Sequence, residues 1–417
     1  MSLPPDASTT PPSPDAFERA RQLFVAGLEM LAGGRIEEAE QSFAASLELL
    51  PDRVSTLVNL AAVRVRLGRP AEALEAAERV LRIEPRNADA WFHGAEALAQ
   101  GGRLEEALKA FGNAAQLNKA AMPWYRHGQV LQDLERDDEA LQSYEHAIAA
   151  DPAFAPAWTN KGNILRERSR LAEAAEAFRQ AIAHGGANEL NDYYLAAVSS
   201  GGTQATATAP DAYVEGLFDA YANGFERHVV DVLGYRAHEV LAGEITRLAP
   251  GRWFDSVLDL GCGTGLCSER LKTCSGSMIG VDLSSQMLQK AEATGNYATL
   301  VHQDIGSFLQ ATDTRHDLVM AGDVFIYVGD LAAVFAGVQR VTLPGGLFCF
   351  SLEVAQQDKG VEFELQPTLR FAHSESYARR MAAEHGFEVV RMLYTPLRRD
   401  QRNAIDGLFV FLRKTAA

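Results

Sequence analysis

The sequence is poor in several features that mark particular protein classes. Only four of its 417 residues are cysteine, and none of them forms a CxxC pair, which disfavours both a disulfide scaffold and a cysteine-based metal site. No run of about 18 apolar residues is present, as a membrane span would need. Basic residues are scarce as well, since 39 Lys and Arg face 55 Asp and Glu, and a net charge of −16 repels a phosphate backbone. We expect a soluble cytoplasmic protein that binds neither nucleic acid nor metal.

The length exceeds what one hydrophobic core usually supports, so we expect two or three domains. The apolar fraction of 47% and the charged fraction of 23% are ordinary for globular proteins. The chain begins with a stretch rich in Pro, Ser and Thr that lacks the apolar segment of a secretory signal. We interpret residues 1–17 as a disordered leader.

The N-terminal half contains a repeat. Alanines recur at intervals of 34, 34, 33 and 34 residues, at Ala39, Ala73, Ala107, Ala140 and Ala174. Four residues after them come Phe43, Ala77, Phe111, Tyr144 and Phe178, so a small residue and usually an aromatic share one helical face. Tryptophan precedes and proline follows at constant offsets, as in Trp124 and Pro152, and proline ends a helix. Each unit is therefore expected to be a pair of antiparallel helices.

This spacing of W, G, A, F/Y, A and P resembles the tetratricopeptide repeat, with five copies over roughly residues 18–185. A segment near residues 189–199 is expected to cap the last copy, so the repeat domain is placed at 18–200. The resemblance implies a concave groove that binds an extended peptide or a protein surface. Because the signature residues are packing residues, self-association and a role as a spacer or lid remain alternatives.

The C-terminal half is interpreted as a separate α/β domain. Residues 201–210, GGTQATATAP, have the composition of a flexible linker. From residue 211 to 417, helical segments alternate with seven apolar runs, a pattern that predicts a parallel, doubly wound sheet. The last two runs, 387–394 and 405–412, have no helix between them and predict an antiparallel hairpin. The pattern resembles the class I methyltransferase fold, which is Rossmann-like with seven strands.

The stretch 257–265, VLDLGCGTG, is typical of a nucleotide-type cofactor site, because its glycines permit a tight turn and a close approach of backbone to ligand. A glycine loop followed about twenty residues later by an acid also fits a dinucleotide-binding domain. Three features favour S-adenosylmethionine: the G-x-G-x-G spacing after Asp259, the acid Asp304 after the third run, and the turn at 343–346 before the fifth. The resemblance therefore implies S-adenosylmethionine as the cofactor.

The same resemblance implies roles for individual residues. Asp259 would orient the amino-acid end, Asp282 would accept the ribose hydroxyls, and Asp304 would accept from the adenine amino group. A main-chain carbonyl near Ala321 or Gly322 would hold the ammonium. The full set of expected cofactor residues is Tyr221, Asp259, Gly261, Cys262, Gly263, Gly265, Asp282, Leu283, Met287, Asp304, Ile305, Ala321 and Gly322.

The catalytic candidates are Tyr327 and His373. Methyl transfer to a carboxylate or thiolate needs no general base, whereas an amine, hydroxyl or carbon acid needs one near the methyl group. Tyr327 follows the fourth run, and His373 lies in a segment where acceptor-binding insertions occur in this fold. His228 and Asp323 are further possibilities. Arg398 and Arg399 are expected in solvent, with recognition of an anionic substrate group as the alternative.

Nearly the whole chain resembles a group of bacterial predicted methyltransferases that contain tetratricopeptide repeats. The resemblance rests on residues 218–222, on Phe225, His228, Leu233 and Tyr235, and on the tail at 370–374, 386–387 and 397–398. It implies an S-adenosylmethionine-dependent methyltransferase whose repeats bind a protein partner or substrate. The alternatives are a scaffold or regulator that only binds the cofactor, and a small-molecule methyltransferase, of natural products or lipids, that dimerises through its repeats.

Overall fold

The structure is a computed structural model that describes residues 13–199, 207–355, 360–400 and 403–415. The chain forms two compact units, Met1–Ile164 with Glu176–Ala187, and Leu165–Ala175 with Asn188–Ala417. Most of the expected leader and residues 201–206 of the expected linker lie outside the described residues. In the described ranges, no helix has both the length and the apolar character needed to cross a membrane.

The repeat region consists of helix pairs. The helices are α1 (Pro14–Ala32), α2 (Ile36–Leu49), α3 (Val54–Arg66), α4 (Pro70–Ile83), α5 (Ala88–Gln100), α6 (Leu104–Leu117), α7 (Ala121–Asp133), α8 (Asp137–Ala150), α9 (Ala155–Glu167) and α10 (Leu171–Ala181). Helix α1 begins at Pro14 and lies partly inside the expected leader, because the Ser13 side chain caps it by accepting from the Ala16 amide. The described helices thus confirm the prediction of an all-α repeat region.

The repeat signature has a direct steric cause. A Cβ atom on Gly128 would lie 2.6 Å from Cε1 of Tyr144, and Gly27 and Gly162 meet Phe43 and Phe178 at the same distance. The first helix of each such pair therefore approaches the aromatic ring of the second so closely that only glycine fits. The aromatic rings are fully buried, so they cannot move aside.

Tryptophan and proline are linked across the repeat boundary. The Trp158 indole donates to the carbonyl of Pro152 at 2.9 Å, and Trp91 donates to Pro85 at 3.0 Å. The proline ends one helix pair, and the indole of the next pair satisfies its free carbonyl.

The second unit contains α11 (Glu189–Val198), which the sequence analysis assigned to the repeat domain. There the Tyr193 hydroxyl donates to the carbonyl of Leu369 at 2.8 Å in a buried environment. The next helices are α12 (Asp211–Tyr221), a π-helical turn at Arg227–Val232, and α13 (Ala237–Leu248).

The remaining elements alternate between strands and helices. They are β1 (Phe254–Leu260), α14 (Leu266–Leu271), β2 (Ser275–Asp282), α15 (Ser285–Ala293), β3 (Thr299–His302), α16 (Ile305–Ala311), β4 (His316–Ala321), a 3₁₀ turn (Phe325–Tyr327), α17 (Ala332–Val341), β5 (Thr342–Val354), β6 (Phe363–Leu365), β7 (Phe371–His373), α18 (Glu375–Glu384), β8 (Phe387–Asp400) and β9 (Asn403–Lys414).

The strands form one sheet with the order β3-β2-β1-β4-β5 in parallel, and β9 lies antiparallel between β5 and β8. The predicted α/β sheet and its terminal antiparallel hairpin are confirmed. The described sheet has nine strands rather than the expected seven, because the short strands β7 and β6 extend it beyond the end of β5. These two strands have three residues each, too few to produce an apolar run in the sequence.

Hydrophobic clusters cover both faces of the sheet. Leu258, Leu260 and Val319 belong to one cluster, and Val257 and Leu318 belong to the other. Neighbouring residues of a strand point to opposite faces, so strands covered on both faces have continuous apolar runs. This double coverage leaves the carboxyl ends of the strands as the place where a ligand can enter.

Candidate functional site

A cavity of about 880 Å³ lies within the second unit. The strand order runs from β1 to β2 and β3 on one side and from β1 to β4 and β5 on the other. Residues that follow β1, β2, β3 and β4 line the cavity. It therefore occupies the topological switch point, where ligands bind in doubly wound sheets.

The glycine loop after β1 forms the floor of the cavity. Gly261, Gly263 and Gly265 have φ angles of +64°, +54° and +91°, a region that favours glycine. The Gly261 amide donates to the carbonyl of Val281 at 2.7 Å, which ties the loop to β2. A Cβ atom at Gly261 would lie 2.4 Å from Cγ2 of Val324, so glycine is required there. Gly265 shapes the turn but is not among the cavity-lining residues.

Asp282 at the end of β2 is held by backbone amides. Its carboxylate accepts from the amide of Gly263 at 2.8 Å and from that of Ser284 at 2.9 Å. Burial raises the pKa of Asp282, and the backbone hydrogen bonds oppose that rise. Leu283 and Met287 line the cavity beside it, so the acid and an apolar surface stand together as a ribose and an adenine would require.

Asp259 lies at the opposite side of the glycine loop. It is 1% exposed, and it accepts a hydrogen bond from the Tyr297 hydroxyl at 2.7 Å. Burial raises the pKa of Asp259 to about 7, against the effect of that hydrogen bond. A ligand ammonium beside this carboxyl would favour its ionised form.

Asp304 and Ile305 begin α16 at the rim of the cavity. One carboxylate oxygen of Asp304 caps the helix by accepting from the Ser307 amide at 2.8 Å. A carboxylate offers about four acceptor positions, so Asp304 can still accept from a ligand amine. Cys262 and Gly322 also line the cavity, whereas Ala321 is fully buried and does not.

Helix α12 forms one wall of the cavity and is attached to α15. The Ser284 hydroxyl donates to Asp219 at 2.6 Å, and the Gln286 amide donates to the same oxygen at 3.3 Å. Tyr221 lines the cavity and bonds through its hydroxyl to Nδ1 of His228. Helix α12 is thus attached to α15 through Ser284, the residue that caps the amino end of α15.

Tyr327 lines the cavity and is joined to the end of the expected linker. The Ala209 amide donates to the Tyr327 carbonyl at 2.9 Å, and Thr208 forms a β-bridge with Val328. Burial raises the pKa of Tyr327 to about 12, and the nearby Arg370 guanidinium opposes the rise. The phenol is therefore protonated at neutral pH.

His373 does not reach the cavity, which corrects its expected catalytic placement. The side chain is completely buried in β7, where Nε2 bonds to the carbonyl of Gly329 at 3.0 Å. Burial lowers the pKa of His373 to about 4, and the ring stacks on Tyr377. The residue has the surroundings of a core histidine, because its strand β7 is paired with β5 on one side and with β6 on the other.

Arg398 also departs from its expected place, since it is 5% exposed rather than solvated. It donates to both carboxylate oxygens of Asp323, at 3.1 and 2.8 Å, and to Glu353. Asp323 has a φ of +63°, a strained conformation for a residue other than glycine. A paired arginine therefore fixes the backbone at the exit of β4, and the side chain of Arg399 lies outside what the structure describes.

Several cavity residues were not among the expected site residues, and His238 and Arg370 are two of them. His238 is 6% exposed and stacks on Tyr235, and its Nδ1 is buried without a hydrogen-bond partner in the described residues. Burial lowers the pKa of His238. The second residue is Arg370, which is half-buried at the cavity. No spacing in the sequence marks either residue, because both approach the cavity through tertiary packing.

Comparisons with known proteins identify both halves of the chain. The family model for the tetratricopeptide repeat matches residues 58–123 and 125–189. The family model described as methyltransferase domain matches residues 257–346, which begin at the glycine-loop motif.

Curated relatives match part of the chain. The ubiquinone biosynthesis O-methyltransferase of Serratia proteamaculans is 27% identical over 121 residues, 28% of this chain and 50% of that protein. The malonyl-[acyl-carrier protein] O-methyltransferase of Hamiltonella defensa is 30% identical over 140 residues, 34% of this chain and 51% of that protein. The chain thus spans about half of the length of these relatives.

Among solved structures, MamA is similar with a TM-score of 0.36 and 24% identity over 38% of this chain and 94% of its own. Magnesium protoporphyrin IX methyltransferase from Synechocystis, solved with bound SAH, is similar with a TM-score of 0.38 and 17% identity over 49% of this chain and 97% of its own.

The methyltransferase family match and the loops that line the cavity agree on S-adenosylmethionine as the cofactor of this site. The chain thus contains tetratricopeptide repeats within residues 58–189 and a methyltransferase domain at residues 257–346.

Proposed function

We propose that this protein transfers the methyl group of S-adenosylmethionine to an acceptor that enters the cavity of the second unit, and that its repeats bind the protein that supplies or carries that acceptor. The observation that carries the proposal is the hydrogen bond between Gly263 and Asp282. The loop amide donates to the carboxylate at 2.8 Å, so the glycine loop and the ribose-binding acid form one preorganised surface.

S-adenosylmethionine supplies an electrophilic methyl group on a sulfonium. The residues of this chain supply the rest: Asp259 would hold the ammonium end, Asp282 the ribose and Asp304 the adenine. In-line displacement needs alignment of the two reactants and exclusion of water more than it needs covalent help. The aromatic wall formed by Phe218, Tyr221 and neighbouring residues serves that exclusion.

The apolar and aromatic lining of the cavity favours an acceptor with an apolar body, presented singly or on a carrier. The repeats support partner binding because arrays of this kind bury their signature residues in packing and leave a groove for a ligand. Self-association is the alternative role of the repeats. Size-exclusion chromatography with light scattering separates the two roles, since self-association predicts twice the mass of one chain.

The cofactor proposal is tested by calorimetric titration of S-adenosylmethionine into the full chain and an Asp282→Asn variant. We expect Asp282→Asn to weaken binding at least tenfold, because an amide is a poorer acceptor for two ribose hydroxyls and offers a competing donor. The matched control is Asp255→Asn, at the exposed amino end of β1, which should bind as the unmodified protein does. Equal affinity in all three proteins would refute the assignment.

A further inference from the structure

The charges that line the cavity are unevenly compensated. Of the two arginines there, Arg398 is neutralised by Asp323 and Glu353. Arg370 has no carboxylate within ion-pair distance in the described part of the chain, although it is half-buried at the same cavity. An uncompensated guanidinium in an apolar enclosure is costly unless a ligand anion completes it.

Several phenols surround Arg370, and the carboxylate on which its charge acts, Glu353, is already bonded to Arg398. The positive charge of Arg370 acts against the rise that burial causes in the pKa of Tyr193, Tyr213, Tyr221 and Tyr327. Tyr221 and Tyr327 line the cavity with it. Because these hydroxyls are neutral, they leave the charge of the guanidinium available to an incoming anion.

The backbone that carries Arg370 is built as a strained turn. Leu369 has a φ of +63°, a conformation that is unfavourable for a residue other than glycine. The turn is closed by hydrogen bonds from the Gln366 amide to Arg370 and from the Leu369 amide to Gln366, both at 2.9 Å. The Tyr193 hydroxyl holds the Leu369 carbonyl at 2.8 Å. Strain that the surrounding structure maintains beside a cavity indicates a functional placement.

We propose that Arg370 binds an anionic group, a carboxylate or a phosphate, on the methyl acceptor, and that the acceptor is an apolar molecule with one such group. This inference rests on the proposed function and names the substrate class of the same site. Guanidinium groups match both anions through paired N–H donors. The apolar body of the acceptor packs against the aromatic wall, next to Phe218 and Phe225.

The test uses the full chain saturated with S-adenosylhomocysteine and three probes of equal chain length: octanoate, octyl phosphate and octanol. Binding is measured by calorimetry in the unmodified protein and in Arg370→Gln, Arg370→Lys and Arg379→Gln. Arg379 is an exposed arginine of α18 paired with Glu375, so it is the matched control.

We expect at least one of the two anions to bind the unmodified protein and Arg379→Gln tenfold or more tightly than octanol does. Arg370→Gln should abolish that preference, and Arg370→Lys should retain part of it. If only octanoate binds more tightly than octanol, the anionic group is a carboxylate. If only octyl phosphate does, the group is a phosphate.

Equal binding of octanol and both anions, failure of all three probes to bind, or an unchanged preference in Arg370→Gln would overturn the inference. The affinity for S-adenosylhomocysteine is measured first in every variant. A protein that binds S-adenosylhomocysteine without preferring anions contradicts this inference alone, whereas one that does not bind it contradicts the proposed function.

Discussion

At the scale of single residues, position in the fold separates side chains that are similar in the sequence. His373 and His238 are both buried histidines, yet His238 lines the cavity and His373 does not. Likewise, Arg398 forms ion pairs with two carboxylates, whereas Arg370 forms none in the described part of the chain. Residue type alone therefore says little about which group can meet a ligand.

The glycine loop allows a residue-scale prediction in which two neighbouring glycines are compared. Gly261→Ala should lower the free energy of unfolding by more than about 2 kcal/mol, because a left-handed alanine costs roughly 1–2 kcal/mol and its Cβ atom would also lie 2.4 Å from Val324. Gly263→Ala should lower the free energy of unfolding only by the conformational cost of a left-handed alanine, since nothing lies within 4 Å of its Cβ position.

Urea denaturation of the two variants measures the difference. If Gly263→Ala were as unstable as Gly261→Ala, the close contact with Val324 would not be what requires glycine at the first position.

At the scale of elements, the repeat helices illustrate how a sequence pattern becomes packing. Gly128 in α7 and Gly112 in α6 are both helical glycines, and both would gain helix propensity on replacement by alanine. Only Gly128 faces a buried ring at 2.6 Å, whereas the nearest atom to a Cβ at Gly112 is Nε2 of His127 at 3.8 Å. The signature glycine is therefore a contact requirement, and the other is not.

We expect Gly128→Ala to destabilise the repeats by about 1–3 kcal/mol, the usual effect of overpacking. Gly112→Ala should be neutral or stabilising by up to about 1 kcal/mol. Unfolding followed by tryptophan fluorescence reports on this region, because three of the four tryptophans lie in the repeats. Equal destabilisation by both substitutions would contradict the steric explanation.

Elements also explain what could be predicted of the candidate site. The glycine loop, Asp282 and Asp304 each lie at or just after the end of a strand, so their place at one edge of the sheet follows from the strand pattern. Strands β6 and β7 have three residues each, below the length at which alternation is detectable. The expectation for His373 depended on the surroundings of those two strands, which the sequence pattern did not reveal.

At the scale of the whole molecule, the chain forms two compact units, and all the residues that line the cavity belong to the second. A ligand that binds only the folded form of one unit stabilises that unit by mass action, by about 2.7 kcal/mol at a concentration of 100 times Kd.

We expect differential scanning calorimetry to show two unfolding transitions. S-adenosylhomocysteine should raise the midpoint temperature of one transition by about 5–10 °C and leave that of the other unchanged. In Asp282→Asn the shift should be much smaller at the same concentration. A single transition that moves as a whole would mean that the two units unfold cooperatively.

The sequence by itself determined the features that depend on local spacing. Three features depend on residues that are close together in the chain: the repeat period, the glycine loop after the first strand, and the alternation of strands and helices. They can therefore be recognised from the sequence alone.

Only the tertiary structure decided which charges are compensated and which side chains are accessible. Arg398 and Asp323 are 75 residues apart in the sequence yet bonded at 2.8 Å, and the carbonyl that binds His373 lies 44 residues away from it. Burial and ion pairing arise from contacts between distant segments, and the electrostatic state of a side chain depends on those contacts. For that reason the cofactor was predictable from the sequence, while the role proposed for Arg370 became visible only in the folded chain.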